Sequence, residues 1–345
     1  MREDTLPEFQ SEAAVAVAFG VLDNLLRADA AEHGLEVHSG HGRSTWIRLD
    51  QGEFGARRSG DGAVLYARAH RRDWLFALQD ALVSHLAQVA PEQAADLRWS
   101  ALDGVGAFPP PFSLARVESV RSLGADFLRL RLRGEGLRRL AEEMVHFRLV
   151  LPPAGDPDPQ WPVVGPNGQT VWPGGAKALH RPAYTVSAIN PDAGWLETDI
   201  FAHQGGRVCE WAQAAQAGDV VGLNGPGGGG LPVAARVLMG GDETAYPALA
   251  RALAANDPQA QGECWLFGAR ADYPFPDHPG IRLIHHPAGE AALAAQLEKA
   301  GCDADKIWLA TEKARLAPLK RAVFDSLGIA KSRAHLAAYW IAGRG

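Results

Sequence analysis

Hydrophobic and polar positions repeat with two periods along this chain, and the dominant period changes twice. Val15, Phe19, Leu22 and Leu26 fall near helical spacing, with Ser11 placed as a cap, and predict a helix over residues 12–32. Short runs at Leu35–His38, Thr45–Leu49, Glu53–Arg57 and Val64–Arg68 predict strands, separated by Gly40, Gly42, Gly52, Gly60 and Gly62. Leu75, Leu78, Leu82, Leu86 and Val89 share one side of a second helix over Asp73–Val89, and Leu97–Ser100 predicts a last strand. The stiff segment Gly104–Pro111 continues no element and marks a domain boundary.

Beyond it the period is two. Phe127–Arg133 alternates leucines with arginines, as a half-buried strand does, and His146–Leu151 alternates similarly. A Pro/Gly-rich insertion, Pro152–Gly175, interrupts the pattern with Trp161 and Trp172; a loop this long in a compact domain is functional or mobile. Strands at Ala183–Ala188, Trp195–Phe201 and Asp219–Asn224, with a short helix at Val208–Ala215, predict a small β-barrel. From Arg236 strands and helices alternate. Strands are expected at Val237–Met239, Glu263–Phe267, Ile281–His285, Lys306–Leu309 and His335–Ile341. Helices are expected near Thr244–Ala254, Glu290–Lys299 and Glu312–Leu327, the last bent by Pro318. That alternation predicts a doubly wound parallel sheet. The expected domains are a small α+β domain (1–103), an antiparallel β-barrel (112–232) and an α/β domain (233–345).

Composition narrows the function. The chain has 345 residues, 47% hydrophobic, enough for about two domains with sizeable cores. Its 34 basic and 40 acidic residues give a net charge of −6, so no bulk electrostatic case for nucleic acid exists. Cys209, Cys264 and Cys302 are odd in number and form no CxxC pair, which fits a reducing compartment and opposes a structural zinc site. The first twelve residues carry Arg2 against Asp4 and three glutamates, unlike a secretory leader, and Ala13–Leu22 is too short to span a bilayer. The reading is a cytoplasmic protein without membrane association. His33, His38, His41, His70 and His85 fit no standard metal spacing, and no metal is expected.

Four segments carry candidate chemistry. In Arg181–Ser187 an arginine precedes Tyr184 and Thr185 on a barrel strand. Such a tyrosine covers one face of an isoalloxazine ring, such a threonine bonds its polar edge, and a guanidinium pairs with pyrophosphate. A plain strand with a surface arginine explains the same residues. Asp199–His203, then Gly205, Gly206 and Arg207, lead into a helix holding Cys209 and Trp211. Glycines there expose amides to a phosphate, or simply turn a strand into a helix with a core tryptophan. The run Gly225–Gly230 permits close backbone approach or is a flexible connector; it fits neither GxGxxG nor Walker A. Gly240–Pro247 lies between a strand and a helix, where Asp242 and Thr244 cap the helix with or without a nucleotide.

In this order the segments resemble the siderophore-interacting protein family of ferric-siderophore reductases, which belongs to the ferredoxin–NADP reductase-like flavoproteins. The family's arginine, tyrosine and threonine match Arg181, Tyr184 and Thr185. Its aspartate-to-histidine stretch and following glycine and tryptophan match Asp199, Phe201, Ala202, His203, Gly206 and Trp211. Its G-P-G-G run matches Gly225–Gly228, its G-D-E-T-A-x-P-A signature Gly241–Ala248, and its closing G-Y-W-x-x-G Tyr339, Trp340 and Gly343. The resemblance covers Phe112–Gly345, about two-thirds of the chain. It departs at Ser187 and Ile341, which stand where the family has arginine, at Arg207, which stands for proline, and at Ala310–Lys313, which stands for A-G-E-A. Arg207 is expected to supply the phosphate interaction that a serine at position 187 does not provide. Residues 12–100 resemble a small domain of unknown function found alone or fused to such reductases.

The resemblance implies FAD in the barrel and NADPH, NADH or a reduced ferredoxin as donor at the α/β domain. Electrons then pass to Fe(III) in a siderophore, which releases Fe(II). It implies a cofactor site of Arg181, Tyr184, Thr185, Val186, Ser187, Asp199, Ala202, His203, Gly206, Arg207, Val208 and Trp211. Asp242, Glu243, Thr244, Ala245 and Tyr339 complete the site, and Tyr184 and Thr185 stand nearest the chemistry. Lys313, Arg315, Lys320 and Arg321 are candidates for an anionic siderophore, although a solvated helical face explains them equally. Arg270 is a candidate 2′-phosphate contact. A flavin-dependent reductase of quinones or free flavin, and a siderophore carrier without turnover, remain open alternatives.

Overall fold

The structure, a computed structural model, describes residues 7–33, 35–141, 144–268, 272–300 and 302–343. Arg270 lies outside them, as does the side chain of His33. Contacts gather into two compact units, one of Met1–Phe112 with Pro152–Leu179, the other of Ser113–Leu151 with His180–Gly345.

The first unit begins with β1 (Phe9–Val15) and α1 (Phe19–His33), where one helix was expected. Ala13, Val15 and Val17 are buried while Ala14 and Ala16 are exposed, so the true period is two. Alanine on both faces hides that period in the sequence. β2 (Val37–Gly40), β3 (Ser44–Leu49), β4 (Gly52–Ser59) and β5 (Gly62–Ala69) complete an antiparallel sheet of order β1-β5-β4-β3-β2. Gly55 lies 2.3 Å, measured from an added Cβ, from the Thr45 carbonyl, so only glycine fits that strand pairing. α1 and α2 (Arg72–Val89) cover the sheet; Leu22, Leu26, Leu82 and Leu86 are buried with Ile47 and Leu65. α3 (Pro91–Asp96) starts on a proline, whose missing N–H costs nothing there. Leu97–Ser100 is not a strand: Ser100 bonds the Glu12 carbonyl at 2.7 Å, but no ladder follows.

The second unit opens with β6 (Phe112–Leu123), β7 (Phe127–Gly134) and β8 (Met144–Val150). β6 escaped the sequence reading because a register shift between Val117 and Ser119 breaks its alternation. After β8 the chain crosses into the first unit. There β9 (Val163–Val164) and β10 (Thr170–Val171) form a small hairpin. The insertion is ordered by specific bonds. Trp99 Nε1 donates to the Asn167 carbonyl at 3.0 Å, Asn167 Nδ2 to Ala94 at 2.9 Å, and Thr170 N to Asp80 at 2.7 Å. The chain re-enters beside its exit, where Leu151 and His180 bridge.

β11 (Ala183–Thr185), β12 (Ala188–Asn190), β13 (Trp195–Phe201), α4 (Arg207–Ala214) and β14 (Val220–Gly230) follow. The seven strands run β11-β8-β14-β6-β7-β13-β12. The single strand expected over Ala183–Ala188 is divided at Val186–Ser187, and this break closes the barrel. Val186 N bonds Val145 on β8 at 2.9 Å, while Ser187 N bonds Glu197 on β13 at 2.8 Å. Neighbouring residues thus join opposite edges of the sheet. The glycine run is not a connector: β14 extends through it to Gly230 with register shifts beyond Asn224.

β15 (Arg236–Gly241), α5 (Tyr246–Ala255), β16 (Gln261–Phe267), β17 (Ile281–His286), α6 (Gly289–Ala300) and β18 (Lys306–Glu312) lead to α7 (Leu316–Lys320) and β19 (Ala334–Trp340). All pairings are parallel, in the order β17-β16-β15-β18-β19. The winding direction reverses between β15 and β18. Glu312 ends β18 rather than starting a helix, and after Pro318 the helix widens into a π turn at Arg321–Ser326. The small α+β region, antiparallel barrel and doubly wound sheet expected from the sequence are therefore present.

Candidate functional site

A cavity of about 480 Å3 opens within the second unit, between the barrel and the carboxyl edge of the parallel sheet. One wall is barrel: His146, Phe147 and Arg148 of β8, Ala183–Thr185 of β11 and Gly225–Gly228 of β14. The facing wall is Glu243, Thr244 and Pro247 before and within α5, with His335 and Ala337–Trp340 of β19. Phe127, Asp199, Phe201 and His203 complete the lining. Its volume lies in the usual range for a small-molecule site, about 300–1,000 Å3.

Tyr184 and Thr185 reach the cavity because the strand breaks directly after them, with Val186 turned into the barrel core at 1% exposure. Burial, with Cys209 nearby, raises the Tyr184 pKa well above the ordinary tyrosine range, so the phenol keeps its hydrogen. Thr185 is buried, and its carbonyl accepts from Thr198 Oγ1 at 2.8 Å. Ser187, which stands where the family has arginine, has a buried hydroxyl with no hydrogen-bond partner. Arg251 of α5 donates to the neighbouring Val186 carbonyl at 2.9 Å.

Of the cations near β11, Arg148 lines the cavity, whereas Arg181 and Arg207, like Ser187 and Gly206, are not among its lining residues. Arg148 Nη1 donates to the Arg181 carbonyl at 3.0 Å. Burial and then Arg148 lower the Arg181 pKa; burial and then Arg207 lower that of His180. Neighbouring cations at Arg181 and His180 mark a positive local potential in a chain of net negative charge. α4 begins here, and no side chain caps its Gly206 end. The His203 ring takes the space a Cβ would need on Gly206, at 2.6 Å. Uncapped amides beside Arg207 suit an anion.

Several expected site residues serve the walls instead. Asp199 holds Arg129 through two bonds, 2.6 and 2.7 Å, and accepts from Tyr273 Oη at 2.8 Å. Asp242 accepts from Thr244 N (3.1 Å), Thr244 Oγ1 (2.6 Å), Thr311 Oγ1 (2.9 Å) and Trp340 Nε1 (2.8 Å). Thr311, an insertion of bulk where the family has glycine, also meets the buried Glu290. Ala245 is fully buried, and an added Cβ on Gly241 would stand 2.5 Å from it. Val208 packs in the barrel core, and Ala202 and Trp211 pack against it. Glu243, Thr244 and Tyr339 do line the cavity, and burial raises the Glu243 and Tyr339 pKa values. None of Lys313, Arg315, Lys320 and Arg321 lines it. Two lie at Trp340, however: Lys313 N bonds the Trp340 carbonyl at 3.0 Å, and the Arg315 guanidinium stands 5.8 Å from its ring.

His146, Arg148, His335 and Arg251 were not singled out from the sequence. His146 opens a strand whose alternation was visible, but its partners lie on β11 and β19. Among the described residues no group of three metal-ligating side chains gathers, and no helix is long and apolar enough to cross a membrane.

Two family models match the chain. Residues 116–230 match the siderophore-interacting FAD-binding domain, and residues 234–343 match the siderophore-interacting protein model. The chain is 26% identical over 237 residues to the ferric vibriobactin reductase ViuB of Vibrio cholerae, covering 64% of this chain and 85% of that protein. It is 29% identical over 182 residues to the mycobactin import ATP-binding/permease protein IrtA of Mycolicibacterium smegmatis. That match covers 50% of this chain and spans only 21% of IrtA. In fold it is similar to the siderophore-interacting protein SipS from Aeromonas hydrophila, with a TM-score of 0.56 and 21% identity over 68% of this chain and 93% of the other. A siderophore utilization protein from T. fusca gives a TM-score of 0.52 and 24% identity over 68% of this chain and 95% of the other.

Proposed function

Because the chain belongs to the siderophore-interacting protein family, we propose that it is a flavin-dependent reductase of ferric siderophores. The observation that carries this reading is the cavity wall of Tyr184, Thr185 and Arg148; the uncapped start of α4 lies later in the chain and is not among the residues lining the cavity. An aromatic face, a hydroxyl and an anion cradle in sequence fit the ring, polar edge and pyrophosphate of FAD. The Ser187 hydroxyl, two residues after Thr185, is buried without a hydrogen-bond partner among the described residues, although it does not line the cavity.

In this reading the barrel part of residues 112–232, without the insertion 152–179, holds FAD and residues 233–345 receive the donor, NADPH, NADH or a reduced ferredoxin. A bound flavin accepts electrons in pairs and releases them singly, which reduction of Fe(III) requires. Tyr184 covers one ring face and excludes water from it. Thr185 bonds the polar edge. Arg181, Arg207 and the first amides of α4 hold the pyrophosphate. Glu243, Thr244 and Tyr339 close the opposite wall. Lys313 and Arg315, beside Trp340, draw an anionic ferric chelate toward the rim; Lys320 and Arg321 extend that positive surface along α7 and the π turn. Three unpaired cysteines accord with action in the cytoplasm.

The test is the visible spectrum of the purified protein, followed by ferric-siderophore reduction with a ferrous indicator. Flavin bands, FAD released on denaturation, and donor-dependent ferrous iron are expected. A protein that takes up no added FAD, or that reduces quinones or free flavin in preference to ferric chelates, overturns the proposal.

A further inference from the structure

One side chain connects the two walls of the cavity and belongs to none of the motifs. His146 Nε2 lies 2.6 Å from Tyr339 Oη, and the two rings meet at 88°. On its other side His146 Nδ1 lies 3.4 Å from Thr185 Oγ1. Among the described residues the Thr185 hydroxyl has no other hydrogen-bond partner. Gly228 makes room for the ring: with φ +79°, it would place a Cβ 2.5 Å from His146 Cδ2. Glycine is therefore required at position 228 by an imidazole.

The ring is neutral. Burial, then His335 on β19 and Arg251 on α5, lower its pKa to about 4, against a smaller opposing bond to the Tyr184 carbonyl on β11. Tyr339 keeps its hydrogen, because burial raises its pKa. A neutral imidazole donates from one nitrogen and accepts at the other. If Nε2 carried the hydrogen, Nδ1 would accept from Thr185, and the threonine would offer the cavity only lone pairs. If Nδ1 carries it, Thr185 Oγ1 receives, and its own hydrogen is free to point into the cavity.

Two features favour the second arrangement. The Tyr184 carbonyl lies within reach of a ring N–H, and Tyr184 adjoins Thr185, the residue that stands at Nδ1. A protonated phenol 2.6 Å from Nε2 is a better donor to that nitrogen than an acceptor from it. We propose that His146 is a positioning residue, protonated on Nδ1, which takes the Tyr339 hydrogen at Nε2 and sets the Thr185 hydroxyl as a donor into the cavity. The wall then selects a ligand edge that carries a lone pair at that point. The ring nitrogens and carbonyl oxygens of an oxidised flavin supply one. That choice of ligand rests on the flavin reading; the tautomer does not.

The experiment joins two readouts on the full chain. Long-range 15N–1H correlation spectra of histidine-labelled protein, without and with FAD, assign the His146 nitrogens. A protonated Nδ1 and a bare Nε2 from pH 8 to pH 5 are expected; a protonated Nε2, or a ring charged at neutral pH, overturns the proposal. FAD dissociation constants are then compared for His146→Asn, which keeps an amide at the Nδ1 position, and His146→Gln, which keeps one at Nε2. His146→Asn is expected within about threefold of the parent. His146→Gln and Thr185→Val are each expected about tenfold weaker, Thr185→Ser near the parent, and the Gln/Val double variant no weaker than Thr185→Val alone. Affinity kept by His146→Gln and abolished by His146→Asn, or fully additive losses, overturns the proposal. Melting temperatures identify any variant that fails to fold. A parent protein that binds no FAD sinks the flavin reading, while the nitrogen assignment still decides the tautomer.

Discussion

The parallel-sheet wall and the barrel wall of the cavity satisfy their polar groups differently. At the sheet's reversal point Asp242 spends both carboxylate oxygens on Thr244, Thr311 and Trp340. On the barrel side the Thr185 hydroxyl has no partner but His146 among the described residues, and outside the cavity lining the Ser187 hydroxyl is orphaned and the start of α4 uncapped. Both stretches look equally chemical in sequence. The difference teaches that the Gly-Asp-Glu-Thr-Ala signature holds the architecture, whereas the barrel strand leaves its valences open for a ligand.

Substitutions should separate the two walls. Asp242→Ala leaves the Trp340 indole without its acceptor and Thr311 with Glu290 alone, and removes the cap of the following turn. It is expected to cost about 3 kcal/mol or more in urea unfolding, with FAD affinity little changed in the folded fraction. A larger effect on affinity than on stability would erase the contrast.

The next effect in size is a pH dependence of the barrel wall. His146 titrates near 6.5 when unfolded and at about 4 when folded, so between these values the unfolded chain binds the extra proton. Stability is full above pH 6.5 and falls as pH drops toward 4, by up to about 3 kcal/mol from this ring. His180, His286 and His335, also lowered by burial, add slope of the same sign. Unfolding of His146→Phe measured from pH 7 to pH 4.5 should show a shallower slope than the parent.

Arg181→Ala should weaken FAD about tenfold or more by removing a charge-assisted bond to the ligand. Arg207→Ala, at an exposed helix start, should weaken it only about threefold, and less in high salt. Full FAD affinity in Arg207→Ala would show that this arginine does not stand in for the family's arginine at position 187.

Much of this fold was legible because its strands alternate cleanly. Trp195–Phe201 was read to the residue, and Phe127–Arg133 to within one. What failed did so locally: alanines blurred β1, a bulge broke β6, and glycines without side chains carried no period through the end of β14. Within the site, residue types were readable but not their directions. Tyr184 and Thr185 reach the cavity as expected, whereas Ala245 and Val208 face cores. His146 was invisible as a site residue because what distinguishes it is a partner 193 positions away. A neighbouring sequence pattern holds no trace of such a pairing.

The insertion between Leu151 and His180 also bears on how the chain is made. The first unit needs residues 152–179 for its Trp99, Ala94 and Asp80 bonds. A ribosome delivering about 5–20 residues per second must therefore release three barrel strands before the amino-terminal unit can be finished. The order of synthesis and the order of completion differ, and the early unit waits, partly assembled, for a piece of chain encoded inside its successor.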